Sequence, residues 1–130
     1  MIDVSAAILI KDNLILIAKR DDEDFLANLW EFPGGKVEEG ETPQQCLVRE
    51  MKEEFNVEVS VGNFFAESIY HYSHASVRLL AYWTVLEGGQ LTPHVHKEIK
   101  FIPVQDLNKY SFAPADIPLV EKLKKYFRLV

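Results

Sequence analysis

The chain has 130 residues, 48% of them hydrophobic and 26% charged, the balance of one globular domain with its own core and not of a disordered or fibrous segment. A net charge of −6 excludes a counterion-driven grip on a nucleic-acid backbone, so no stable nucleic-acid binding is expected; an acidic protein that takes a phosphate compound must recruit divalent cations to neutralise both. The single Cys46 excludes an internal disulfide and a cysteine-based zinc site, and its expected place is a small buried apolar position.

Residues 1–10 carry no basic leader, and the apolar run 6–10 is too short to span a bilayer, so the expectation is a cytoplasmic protein, without a membrane segment, that starts near Met1. The aliphatic runs 4–10 and 14–19, broken by Lys11-Asp12-Asn13, read as a hairpin or adjacent strands, both substantially buried. Residues 21–28 read as an acidic loop holding Phe25 and Leu26, and residues 29–32 as a short extended piece ending in a sharp turn at Pro33-Gly34-Gly35. Thr42-Pro43-Gln44-Gln45 supplies an N-cap, a proline at the first helical position and a glutamine three after the cap. A helix from there should reach about Phe55, where Asn56 tolerates the left-handed conformation that ends helices. Residues 57–61 resume extended structure, 64–72 and 75–86 read as two long strands, and Glu87-Gly88-Gly89 reads as a turn. A further strand over 99–104 contains Pro103, which suggests an edge. In 116–128, Leu119, Val120, Leu123, Tyr126 and Phe127 fall at helical spacing opposite Glu121, Lys122, Lys124 and Lys125. With no internal repeat or linker, the expected organisation is one domain over residues 1–130, a mixed sheet flanked by at least two helices.

On the first helix, at roughly 100° per residue, Leu47, Val48, Met51 and Phe55 share one sector and Glu50, Glu53 and Glu54 the next. Acids at i, i+3 and i+4 repel by about 0.2–0.5 kcal/mol per pair. Arg49 can pair with Glu53, but one guanidinium cannot neutralise three carboxylates, and hard divalent cations prefer such oxygen ligands. Taken alone, the segment 49–54 reads better as a solvated, charge-rich helix face; with a metal, Mg²⁺ or Mn²⁺ fits.

Gly35, Glu41, Arg49, Glu50, Met51, Glu53, Glu54, Asn56 and Val57 follow the pattern Gly, five residues, Glu, seven residues, Arg-Glu-aliphatic-any-Glu-Glu-any-Gly-aliphatic, with Asn56 in the last glycine's place. At residue frequencies of roughly 7%, the six matching fixed positions have a chance probability on the order of 10⁻⁷ per starting point. The segment resembles the signature of the Nudix hydrolase family, and Leu29-Trp30-Glu31-Phe32-Pro33-Gly34-Gly35-Lys36 is similar to its MutT-like branch. The resemblance implies a Nudix-type α/β/α sandwich with a central mixed sheet. It implies Mg²⁺-dependent hydrolysis of a (deoxy)nucleoside triphosphate to the monophosphate and pyrophosphate, with CTP, modified pyrimidine nucleotides or 8-oxo-dGTP as candidates in pool sanitation. It further implies a metal site of Glu50, Glu53, Glu54 and the Gly34 carbonyl, a general base chosen from Glu53 and then Glu50, and an orienting ion pair of Arg49 with Glu41. Asn56, the second choice for a left-handed cap, should cost modest stability and leave the ligands intact.

Glu98 falls where related enzymes often carry a further metal-binding or basic glutamate; its competing reading is a surface acid. Arg20 and Lys36 are candidates for phosphate contacts, against solvated surface charges, and Phe32 for stacking on a base, against a place in the core. Residues 112–118 resemble a MutT-like loop that reads the base edge, with Asp116 accepting from an exocyclic amine or, if protonated, donating; Asp116 is equally an N-cap for the last helix. His71, His74, His94 and His96 reproduce no zinc spacing and read as ordinary strand and loop residues, and Tyr70, Tyr72, Tyr82 and Trp83 as sheet packing. The partner expected is a nucleotide, and monomer and homodimer both stay open. The second functional class is a catalytically silent nucleotide-binding or regulatory domain, or a base-recognition module of a DNA-repair protein; such modules commonly lose the helix carboxylates, and all three are present.

Overall fold

Strand β1 (Ile2–Lys11) and strand β2 (Leu14–Lys19) are joined by Asp12 and Asn13, both at positive φ (53° and 65°), the two-residue turn whose twist suits a hairpin. The computed structural model describes residues 1–22 and 25–128; Glu23 and Asp24, in the acidic loop read at 21–28, lie outside the described residues. Alternation sends Ala6, Ile8, Ile15 and Ile17 to one side of the sheet and Ala7, Leu9, Leu16 and Ala18 to the other. Both sides are covered, which is why these strands read as unbroken aliphatic runs.

The hairpin opens almost at once. β1 and β2 pair at Ile10↔Ile15 and Lys11↔Leu14, after which β1 pairs with β4 (Gly34–Lys36) and β2 with β3 (Trp30–Glu31). Residues 30–36 therefore fill the fork, held by Ala7 N–H donating to the Pro33 carbonyl at 2.7 Å. The expected sharp turn at Pro33-Gly34-Gly35 is instead a crossing from one arm to the other. Neither glycine has positive φ; both are required by contact. A Cβ on Gly34 would lie 1.9 Å from the Ser5 carbonyl oxygen, and one on Gly35 2.2 Å from the Glu50 carboxyl carbon.

β1 runs parallel to β6 (Ser76–Gly89), which runs antiparallel to β5 (Val57–His71), while β7 (Glu98–Pro103) pairs along β2 as an outer strand with Pro103 at its end. The stretches read separately as 57–61 and 64–72 are one strand, with register shifts between Val61 and Ala66. Gly88 and Gly89 are still paired, with Glu58 and Val57, so the turn expected there is strand, and the shift between Glu58 and Val59 absorbs Glu87. A 3₁₀ helix over Val104–Lys109 carries no periodic signal and was not expected from the sequence.

Helix α1 (Pro43–Phe55) starts with reciprocal bonds, Gln45 N–H to Thr42 Oγ1 at 3.1 Å and Thr42 N–H to Gln45 Oε1 at 2.9 Å, and ends at Asn56 with φ 59°. Cys46, Leu47, Met51 and Phe55 are buried; Val48, expected among them, is 41% exposed at the margin of the apolar sector. Helix α2 (Ile117–Tyr126) buries Leu119, Val120 and Leu123 against the other side of the sheet, giving an α/β/α sandwich. Among the described residues no helix is long and apolar enough to cross a membrane.

The fork makes unequal demands on its two glycines. Gly34→Ala meets backbone that no rotamer can move and is expected to destabilise by about 2–3 kcal/mol, whereas Gly35→Ala meets the end of a flexible side chain and costs less. Urea unfolding of both variants checks this; equal losses would contradict it.

Candidate active site

A cavity of about 500 Å³ is lined by the fork (Glu31, Phe32, Gly34, Gly35 and Lys36), by Glu54 of α1, by Arg20 at the end of β2, by Tyr72, His74 and His96 from loops, and by Ala113, Ala115 and Asp116 before α2. The fold thus gathers residues from most of the chain at the one place where β1 and β2 part.

Of the α1 acids, Glu54 lines the cavity. Burial, then a hydrogen bond shared with Glu50 and the charges of Glu50, Glu31 and Glu53, push its carboxyl up to about 8. Glu50 is packed against Gly35, with Oε1 2.8 Å from Arg49 Nη1. Glu53 is 59% exposed and reaches the same Nη1 at 3.2 Å. Arg49 is fully used: its Nε and Nη2 grip the two oxygens of Glu41 at 2.7 and 3.0 Å, and Nη2 also donates to the Lys36 carbonyl at 3.2 Å. That fork holds the Glu41 carboxyl down to about 2 and raises Arg49 further above its ordinary range. The thiol of buried Cys46, against the carbonyls of Gly35 and Lys36 at 3.3 and 3.4 Å, is pushed up to about 11 by desolvation.

These acids fit a hard divalent cation in chemistry: every donor is a carboxylate or backbone oxygen, and at Glu54, whose carboxyl burial and then the neighbouring acids push up to about 8, a positive charge would be favoured. They are gathered but not converged, for among the described residues no three acid, histidine or cysteine side chains already point at one centre. Glu50 and Glu53 are turned toward Arg49.

The other candidates divide. Arg20 Nη1 lies 2.5 Å from Glu31 Oε1 with its guanidinium 5.8 Å from the Phe25 ring, and Lys36 lines the cavity at the end of β4. Phe32 is 3% exposed with its ring 5.3 Å from Phe112, and its N–H donates to Asp116 Oδ2 at 3.0 Å. Asp116 stands at the N-cap position of α2 without capping it by its side chain. Desolvation, then the charge of Glu31, raises its carboxyl well above the usual range. Glu98, the first residue of β7, does not line the cavity; it is half exposed, with Lys100 3.8 Å away.

Sequence reasoning assigns no role to Glu31 and reads His96 as an ordinary loop residue and Tyr72 as sheet packing, yet all three line the cavity. Glu31 Oε2 pairs with His96 Nε2 at 2.7 Å, and Tyr72 Oη accepts from Ala115 N–H at 3.2 Å. The available signal for Glu31 was one charge between two aromatics in Trp30-Glu31-Phe32, a residue that a buried strand carries only with partners.

The raised carboxyl of Glu54 fixes a sign. Its folded value, about 8, is above the ordinary 4.5, so the folded chain keeps a proton that the unfolded chain releases. Metal-free stability from this group is full below about 4.5 and is lost as pH rises through about 8. Glu41, lowered to about 2, loses its contribution only as pH falls below 4.5, outside that window. Thermal unfolding in chelator between pH 5 and 8.5 is expected to show a declining midpoint whose slope Glu54→Gln reduces, the raised carboxyl of Asp116 carrying the remainder; parallel profiles for wild type and variant would contradict it.

The NUDIX domain family matches residues 5–122. The chain is 40% identical over 121 residues to the CTP pyrophosphohydrolase of Escherichia coli (strain K12), covering 93% of this chain and 90% of that one. It is 31% identical over 115 residues to the 8-oxo-dGTP diphosphatase of the same organism, covering 88% and 89%. The solution structure of the E. coli ORF135 protein superposes with a TM-score of 0.85 at 38% identity, over 98% of this chain and 91% of that one. With the family match covering residues 5–122 and relatives of that family aligned over most of its length, the chain belongs to the Nudix family of hydrolases.

Proposed function

We propose that this hydrolase cleaves a (deoxy)nucleoside triphosphate to the monophosphate and pyrophosphate, with Mg²⁺ as cofactor and Mn²⁺ able to replace it. What carries the reading is one cavity that holds the buried, acid-crowded Glu54 beside Gly34-Gly35, with Glu50 packed on Gly35, together with a buried polar reader, Asp116. Its volume, about 500 Å³, is that of a small-molecule site, and the chain resembles proteins named for CTP and for 8-oxo-dGTP.

Glu50, Glu53, Glu54 and the Gly34 carbonyl are assigned to hold the metal, which supplies neutralisation of the phosphate oxygens and acidification of a water. Glu53 takes the proton of the attacking water, with Glu50 next in line, because Glu53 is the most solvent-accessible of the three and reaches Arg49 by a single 3.2 Å contact. Arg49 and Glu41 orient: with both Glu41 oxygens and the Lys36 carbonyl engaged, the guanidinium has no free edge for substrate. Arg20 and Lys36 are assigned to the phosphates. Asp116 is assigned to the base edge, and Phe32 serves the pocket through its N–H and its packing on Phe112 rather than by face-on stacking. Glu98 lies outside this set.

Pyrophosphate release from CTP, dCTP, dGTP and 8-oxo-dGTP, with and without Mg²⁺, tests the reading. Turnover is expected only with the metal, and Glu53→Gln is expected to fold and lose about 100-fold or more in kcat. Near-wild-type rates for that variant at saturating Mg²⁺ would remove Glu53 as base. Asp116→Asn, which keeps an acceptor for Phe32 N–H, is expected to reorder the nucleotides more than it lowers stability; an unchanged ranking removes Asp116 from base recognition.

A further inference from the structure

His96 lies between β6 and β7 with its side chain 6% exposed on the cavity wall. Its ring stacks on Phe55, the last residue of α1, at 5.2 Å and 20° between planes, and Nε2 lies 2.7 Å from Glu31 Oε2. Nδ1 is buried and meets no hydrogen-bonding partner among the described residues. The tautomer with its proton on Nε2 donates to Glu31 and leaves no buried N–H unmet.

The loop does not need this ring to hold it. Thr92 N–H to Phe55 O and His94 N–H to Glu54 O, both 2.9 Å, and Lys97 N–H to Lys19 O at 3.0 Å already pin it to the end of α1 and to β2. An apolar side chain would pack on Phe55 without the desolvation cost of an imidazole. What the imidazole adds is a donor aimed at one oxygen of a carboxylate whose other oxygen is held by Arg20 at 2.5 Å. Glu31 is thereby fixed from both ends, and its charge acts on Glu54 on one side and on Asp116 on the other. A glutamate gripped by Arg20 alone would keep a torsional freedom that the second bond, from His96, removes.

We propose that His96 is a positioning residue of the hydrolysis: stacked on Phe55, it fixes the Glu31 carboxylate, and through it Arg20, relative to the acids of α1. This rests on the hydrolase reading above, and the test separates the two.

His96→Gln places an amide nitrogen near the position of Nε2, whereas His96→Asn places one near Nδ1 and falls short of Glu31. With Mg²⁺ and CTP, the Asn variant is expected to lose about 10-fold or more in kcat with KM within about threefold, and the Gln variant to recover most of the loss. Because His96 acts through Glu31, the double variant His96→Asn/Glu31→Gln should be no slower than Glu31→Gln alone. Wild-type kcat in His96→Asn, while Glu53→Gln is inactive, overturns the proposal, as do losses that multiply in the double variant. Two readouts do not need turnover. The Mg²⁺ concentration that half-saturates the rise in unfolding temperature should increase in the Asn variant and return with Gln; no change counts against the proposal. In the metal-free protein, imidazole NMR should show an exchange-protected Nε2 proton that Glu31→Ala, which removes the acceptor, exposes, and a proton indifferent to that substitution overturns the proposal even if His96→Asn fails to fold. If the wild type releases no pyrophosphate, the hydrolase reading fails, and these two readouts still decide the role of His96.

Discussion

At Gly34 and Gly35 the main chain passes closer to its neighbours than any side chain permits, and the site depends on that passage. Gly34 lies against the Ser5 backbone of β1 and Gly35 against the carboxyl of Glu50 on α1. The segment 30–36 can therefore lie in the fork between β1 and β2 with its backbone brought up to the acid face of the helix. The same segment brings Glu31 and Lys36 to the cavity, and its Lys36 carbonyl ties it to Arg49 of α1.

The electrostatics are deliberately incomplete. Arg49 meets Glu41, Glu50 and Glu53, and Arg20 meets Glu31, yet Glu54 is left buried among like charges and keeps its proton to about 8. A fold that wanted only stability would place an apolar residue there. Retaining a carboxyl in that position creates a demand for positive charge, which the divalent cation of the proposed function would meet.

Much of this was legible in the sequence, because its causes are local. The capping box at Thr42, the left-handed end at Asn56 and the two-faced aliphatic runs of β1 and β2 each depend on neighbours within a few residues. Other features depend on distant contacts. Pro33-Gly34-Gly35 looks like a turn until Ser5 and Glu50 are known to press on it, and Gly88-Gly89 looks like a turn until β5 is known to pair with it. Val48 lay one position too far round the helix for its sheet to cover. Asp116 reads as a cap for its own helix but is recruited by the N–H of Phe32, 84 residues earlier, and Glu31 and His96, 65 residues apart, meet only through the closing of β7 on β2. The family pattern drew attention to the helix acids, whereas the groups that hold Glu31 lie outside that pattern.

The central claim is that the carboxylates beside Gly34-Gly35 form a cradle for a divalent cation. Anomalous diffraction from crystals grown with Mn²⁺ tests it most directly. The account predicts a peak bounded by Glu50, Glu54 and the Gly34 carbonyl, with Glu53 swung in from Arg49. A fully occupied peak elsewhere, or none at saturating Mn²⁺ while these acids keep their contacts with Arg49, would contradict it.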